Sequence, residues 1–457
     1  MGAKTTREIA EWVHRTGYKE FDQELIDYSK ILALSHLGMT VAGTAMPFGK
    51  IVLQYIKDHK CSPEAGVMGG GFRTLAEYAA LANGAFSHIT ELEDDSFPDG
   101  NYSCGSWPTI LAIGEKLKLS GKDVIEAFIV GYEVASRIGV ASQKAITKGY
   151  LNAAGCLTIG SAAMAAKLLR LDVEKTIHAL SLAASQATGI ARQTGAGAHV
   201  IESGFAGRNG ICSAMLARLG FTGSPTILEG HAGFMDLWTE LPDFDLPLGE
   251  GGYRVMQIGI KKYPCCYLQQ RNIDGVLDLI AEHNISWDDV ESIEHEINHT
   301  VSLYLKYPQP ETGEDARFSV EHSTVACFFE KQVFLSSYTD EKARDPKYKE
   351  ARKKVKVTVH PEWPNGYFAF DSPLTIRLKD GREYKKICVS ARGDPSKRLG
   401  VDEIKKKYLD CMDFAGSFSK EATEKAAEMA LALDEIKDVS ELMSLLTFPD
   451  KDKRKVK

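Results

Sequence analysis

The chain has no CxxC pair. Its nine cysteines are scattered and odd in number, and the only close pair is Cys265-Cys266. That usage excludes a disulfide framework or a clustered zinc site and fits reduced thiols in a cytoplasmic protein. No run approaches the ~18 apolar residues of a membrane span, and no signal-peptide apolar region follows Met1. The Met-Gly-x-x-x-Thr start matches a myristoylation pattern too short and common to assign a lipid. The net charge is -7, and the one basic stretch is the Lys451–Lys457 tail, which reads as a solvated terminus. Nucleic acid and membrane are therefore not expected as partners.

Cofactor signatures are missing too. No GxGxxG follows a strand, and there is no P-loop or GxSxG. The Met68–Phe72 glycine run reads as a flexible link. His295-Glu296-Ile297-Asn298-His299 fits HExxH by letter, but that motif binds zinc only on a helix. Here it falls in an alternating, strand-like segment, where four residues separate the two rings by about 13 Å. The reading is a strand carrying exposed histidines, with no metal and no organic cofactor.

What is present is helix after helix. A chain of 457 residues, 44% of them hydrophobic, exceeds one core and implies two domains. Leu25–Leu37 and Leu75–Ile89 carry apolar residues at helical spacing. A further helix is expected from Gly121, with Asp123 near its first turn. Gly160–Leu171 and Ile177–Thr188 are dense in small residues, as in central helices whose backbones approach closely. Near Lys261 the period changes. Val290–Asn298 and Lys354–His360 alternate, and Leu374–Leu378 and Glu383–Val389 flank an Asp380-Gly381 turn of the type I′ kind. Arg317–Leu335 reads as a helix within this region. Helical spacing returns at Val401 and runs through Glu421–Leu433. The expected fold is mainly α. A large helical domain is built from both chain ends (1–261 and 392–457), with an inserted smaller α+β lid domain at 262–391.

Four constellations carry candidate chemistry. Glu91, Glu93, Asp94 and Asp95 crowd the end of an apolar helix, where acidic groups oppose the helix dipole; crowded carboxylates suit acid–base work. Arg192 to Asn209 interleaves glycine with Arg192, His199, Glu202 and Arg208 and reads as a bent segment approaching a ligand. Lys261-Lys262-Tyr263-Pro264-Cys265-Cys266 offers point charges for a carboxylate. His322 opens an apolar helix, facing a cleft or satisfied within a core.

These segments resemble, in fixed order, those of the MmgE/PrpD family. Asn83 to His88 followed by Glu91–Asp95 resembles its asparagine-glycine-to-histidine segment and aspartate-rich turn. Gly131-Tyr132-Glu133-Val134, Gly160–Ala163, Ala184–Ala187, Gly220–Gly223, Ile227–Gly230 with Gly233-Phe234, Lys262–Cys266, Ala316–Ser319 and Gly393–Ser396 continue the series. The resemblance implies a helical domain with an α+β lid, a homodimer, and an active site acting on small di- and tricarboxylates without organic cofactor. Family members dehydrate, decarboxylate or epimerise by proton transfer next to a carboxylate.

Six positions depart from the pattern of the family's dehydratases and decarboxylases in an ungapped match. Glu91 stands for Asp, Asp95 for Thr, Asn101 for His, Leu151 for His, His199 for Lys and His322 for Tyr. Asp94 and Lys261 or Lys262 keep the pattern. A changed constellation on a kept scaffold implies a changed substrate or reaction. The departures argue against 2-methylcitrate dehydratase and cis-aconitate decarboxylase as the specific activity. The leading reading is a lyase on a small polycarboxylate. His199 or His322 would be the base, with Asp94, Asp95 or Glu91 as partners, and Asn101, Arg192, Arg208, Lys261, Lys262 and Cys266 would bind substrate. The alternatives are an epimerase like iminodisuccinate epimerase and a binding protein that has lost the chemistry.

Overall fold

The computed structural model describes residues 5–242, 244–330 and 332–449. The expected Lys451–Lys457 tail and the Met1–Lys4 start lie outside them. The fold is mainly α, with short strands and one larger sheet. Contacts within the chain divide it into two units. One comprises Met1–Arg192, Val200–Ile258 and Gly400–Lys457; the other comprises Gln193–His199 and Gly259–Leu399.

The first unit is helical. Gln23–Gly43 is buried along almost its whole length and packs against Ala76–Ile89 and Val401–Ala415. Gly121–Ala141 starts where expected, because Ser120 accepts from the Asp123 backbone N–H while Asp123 returns the bond to the Ser120 N–H. It crosses Asn152–Leu168 closely. A Cβ on Gly160 would meet the Gly131 carbonyl at 2.8 Å, and one on Gly131 would meet the Gly160 carbonyl at 2.9 Å. Small residues therefore set that crossing, as their density in the sequence suggests. The Met68–Phe72 run is not a loose link. It turns the antiparallel hairpin Ala65–Val67 and Phe72–Thr74, and the N–H groups of Gly69 and Gly71 donate to Leu446 and Thr447.

Arg192 to Asn209 is not bent throughout as expected. It is a short 3-10 turn, Ala191–Gln193, a positive-φ Gly195, and then the helix Gly197–Arg218. Glycine serves close approach there: a Cβ on Gly204 would lie 2.2 Å from the Leu81 carbonyl, and one on Gly84 would lie 2.8 Å from the Gly204 Cα.

The second unit holds a four-stranded sheet in the order Val355–His360, Val290–Asn298, Ser372–Leu378, Glu383–Cys388. Val290–Asn298 runs parallel to the first of these and antiparallel to Ser372–Leu378. A register shift between Val290 and Ser292 puts Val290 inside along with Ile293, His295 and Ile297. Val290 and Ile293 form one core with Leu374, Ile376 and the helices Gln270–His283 and Val320–Glu330. The last helix starts later than expected because Ser319 Oγ accepts from the His322 N–H and caps its start. The hairpin turn is not type I′. Only Gly381 has positive φ, and the Leu378 N–H donates to the Arg382 carbonyl, which describes a type I turn closed by a glycine bulge.

Candidate active site

The acidic segment leaves the helix Ala76–Ile89 through a strained step. Glu91 has φ 53°, a left-handed conformation that costs a non-glycine residue about 1 kcal/mol or more. Glu91, Glu93 and Asp94 are all buried, while Asp95 is half-buried. The turn is therefore not the solvated helix end that its composition allows.

Two anchors hold it. Lys407, buried on Val401–Ala415, donates from Nζ to the Leu92 carbonyl at 2.8 Å and to Ser35 Oγ at 3.0 Å. Farther along, Arg254 bonds Asp99 at 2.7 Å and the Phe97 carbonyl at 3.1 Å. Asp99 also accepts from Ser136 at 2.6 Å and from Ser96 at 3.1 Å. Burial pushes the Asp99 carboxyl up to about 6, against the opposing pull of Arg254.

Between the anchors lies a buried polar cluster. His88 Nδ1 is 2.8 Å from Ser203 Oγ, which the Gly84–Gly204 approach brings alongside. Asn101 Nδ2 reaches His88 Nε2 and Glu93 Oε1, both at 3.3 Å. His88 Nε2 and Glu93 Oε1 are 3.9 Å apart, beyond hydrogen-bond length. Cys104 Sγ lies 2.9 Å from Ser203 Oγ and donates to the Asn101 carbonyl at 3.2 Å. One proton arrangement satisfies these contacts. Asn101 donates to Glu93 and to the Nε2 lone pair, His88 Nδ1–H donates to Ser203, and Ser203 donates to Cys104. An imidazole in such a chain can take up or relay a proton.

Residues 7–247 match the MmgE/PrpD N-terminal domain, and residues 263–435 match the MmgE/PrpD C-terminal domain. The chain belongs to the MmgE/PrpD family. It is an enzyme of the MmgE/PrpD type. Among its relatives are cis-aconitate decarboxylases at similar distances. The one from Mus musculus is 26% identical over 466 residues, covering 98% of this chain and 94% of the relative. The one from Homo sapiens is 25% identical and covers 97% and 95%. The one from Aspergillus terreus is 25% identical and covers 98% and 96%.

Glu91, Asp94, Asp95 and Asn101 lie on one short segment, Asp94 and Asp95 in the strand Asp94–Ser96 and Asn101 just after the Ser96–Gly100 bridge. The other expected residues fall differently. His199 is buried in the first turn of Gly197–Arg218. Arg208 is nine residues further along that helix, about half a turn out of phase and some 13 Å along the axis, so the two cannot serve one ligand from the same face. Arg208 instead bonds the Asn209 side chain at 2.9 Å and covers the Phe205 ring. Arg192 is exposed.

In the second unit, Lys261 and Cys266 are buried and Lys262 is half-buried. Gln270 accepts from the Lys262 and Tyr263 N–H groups. Arg317 reaches the Pro264 carbonyl at 2.7 Å, so this junction has a built shape. His322 is a core group. Nε2 lies 2.8 Å from the Ser337 carbonyl, Nδ1 lies 3.1 Å from Arg352 Nη1, and the ring stacks on Tyr348. Burial lowers its pKa to about 4. Both nitrogens are committed, which counts against His322 as a base. His295 is buried as well, not exposed as expected. Its ring bonds Asn272 at 3.2 Å and Thr324 at 2.9 Å, while His299 opens a separate short helix and is exposed. The HExxH letters make no zinc site there.

The residue reading gave His88, Glu93 and Ser203 no role at the site, and missed Lys407 altogether. The first three sat inside segments already singled out. Lys407 had a legible signal: it falls on the buried stripe Ile404, Lys407, Tyr408, Cys411, Met412, where a lysine at an apolar position asks for a partner.

Proposed function

We propose that this enzyme is a lyase, of dehydratase or decarboxylase type, acting on a small di- or tricarboxylate by proton transfer next to a carboxylate. The observation that carries the reading is the dry, held turn of Glu91, Glu93 and Asp94 beside His88. Several proton-exchanging groups sit there where water does not compete. Similarity to cis-aconitate decarboxylases over 97–98% of the chain supports the reaction type. The six departures favour a substrate other than cis-aconitate.

His199 is the proposed proton acceptor, since a neutral imidazole nitrogen can accept a proton. In dehydration it would take the C–H proton. The C–H electron pair becomes the double bond, and a protonated carboxyl of Glu91, Asp94 or Asp95 gives its proton to the departing hydroxyl, releasing water. In decarboxylation the C–C pair remains on carbon as carbon dioxide leaves, and the same acid supplies the proton. Lys261 and Lys262 would neutralise substrate carboxylates and the developing enolate-like charge.

The test is incubation of the full chain with a panel of hydroxylated and unsaturated polycarboxylates in deuterated water, followed by NMR. Loss of water or carbon dioxide is the expected result. Exchange with inversion would instead identify an epimerase, and bound but unexchanged ligand a binding protein.

A further inference from the structure

Asn101 stands apart from the rest of the buried cluster. It is 9% exposed, where His88 is 2%, Glu93 1%, Ser203 4% and Cys104 0%. It is the most exposed of the five. The orientation of its amide follows from its neighbours. Glu93 Oε1 at 3.3 Å is an acceptor, and a carbonyl oxygen turned towards a carboxylate would be repelled, so the NH2 group faces Glu93. The same NH2 supplies its second hydrogen to His88 Nε2 at 3.3 Å. With Nε2 accepting, a neutral His88 ring carries its proton on Nδ1, which faces Ser203 Oγ at 2.8 Å. Both amide hydrogens are consumed internally, and Oδ1 bonds no group among the described residues. The atom left to present is an acceptor.

We propose that Asn101 is a specificity-determining residue that selects substrates bearing a hydrogen-bond donor, a hydroxyl or an amine, next to the reacting carbon. An ionised carboxylate or a bare alkene carbon offers nothing to Oδ1, and a carboxylate oxygen is repelled by it. A hydroxyl or ammonium group donates to it. The inference rests on the polycarboxylate lyase reading and narrows it to hydroxy- or amino-polycarboxylates.

The test compares isosteres by titration calorimetry on the full chain. Citrate is set against propane-1,2,3-tricarboxylate, and malate against succinate; each pair differs by one hydroxyl. Wild-type protein is expected to bind the hydroxylated member about tenfold or more tightly. In Asn101→Ala that preference falls to within about threefold, while the affinity for the member lacking the hydroxyl changes little. Asn101→Ser, which keeps an acceptor, retains part of it. Equal wild-type affinity within both pairs overturns the donor requirement whether or not any variant folds, and so does an undiminished preference in Asn101→Ala. Those results leave the lyase reading standing. Failure of all four compounds to bind overturns the inference together with the polycarboxylate reading beneath it.

Discussion

His88 in the helical unit and His322 in the sheet-bearing unit are buried to 2% and 0% exposure, and their surroundings differ in kind. His322 lies between a backbone carbonyl, an arginine and an aromatic ring. None of these exchanges a proton near neutral pH, and burial holds the ring neutral. His88 is bonded to a hydroxyl and an amide, with a carboxylate one step away. Burial alone therefore does not separate the two histidines; the exchangeability of their partners does. A histidine at the start of an apolar helix, as His322 is, belongs by default to the core.

The sharpest test of the contrast is catalytic. His199→Asn is expected to lower kcat by about 10² to 10⁴, the usual worth of a general acid or base, and to remove the acidic limb of the pH–rate profile; His199→Lys should not rescue turnover. If only KM changes, His199 binds substrate, and His88, not His322, becomes the next base to test. His88→Gln should lower kcat with little loss of stability, while His322→Gln should do the reverse in paired kinetic and urea-unfolding measurements. Equal effects of these two substitutions on kcat would break the comparison.

A pH series sharpens it further. Burial lowers His322 and His295 to about 4, so the folded protein binds fewer protons than the unfolded chain between about 4 and 6.5. Each contributes stability that is present above 6.5 and lost as pH falls towards 4, up to about 3 kcal/mol apiece. Asp99 works in the opposite sense. Raised to about 6, it favours the folded state below its unfolded value and loses that contribution as pH rises through 6. Urea midpoints of the full chain should therefore fall on acidification, and in His322→Gln the fall should be smaller.

Lys407→Met would leave the Leu92 carbonyl without that donor, a cost of about 1–3 kcal/mol. It should loosen the acidic turn, read as lower thermal stability together with lower kcat; a loss of stability alone would make Lys407 a packing residue. The smallest expected effect is from a chelator, since the HExxH letters span a strand and an exposed helix start. Dialysis against one should leave turnover unchanged, and activity lost and then restored by a divalent ion would revive a metal site.

Much of the fold was legible because helix burial is periodic. Gln23–Gly43, Ala76–Ile89 and Gly121–Ala141 lie where the apolar spacing put them, and the Val290–Asn298 strand follows its alternation. What escaped depended on distant parts of the chain. The grouping of Gln193–His199 with the second unit, the burial of Lys407 and the commitment of His322 to Arg352 are all fixed by residues tens to hundreds of positions away. The acidic turn was recognisable as unusual from composition alone. The partners that make it a cluster, Ser203 above all, were not, because a serine in a glycine-rich helix carries no local mark.

The meeting of Gly84 with Gly204 has a bearing on how a mutational scan of this enzyme would look. Neither residue holds a polar atom in its side chain or lies on the acidic turn, yet even alanine at either would force the two helices apart and draw Ser203 away from the imidazole. Such a scan would score both glycines alongside the proton-carrying residues, and a reader sorting hits by chemistry alone would misfile them. Because the nearest atoms are backbone, the Leu81 carbonyl and the Gly204 Cα, neither a shortened side chain nor a new charge on the facing helix should compensate.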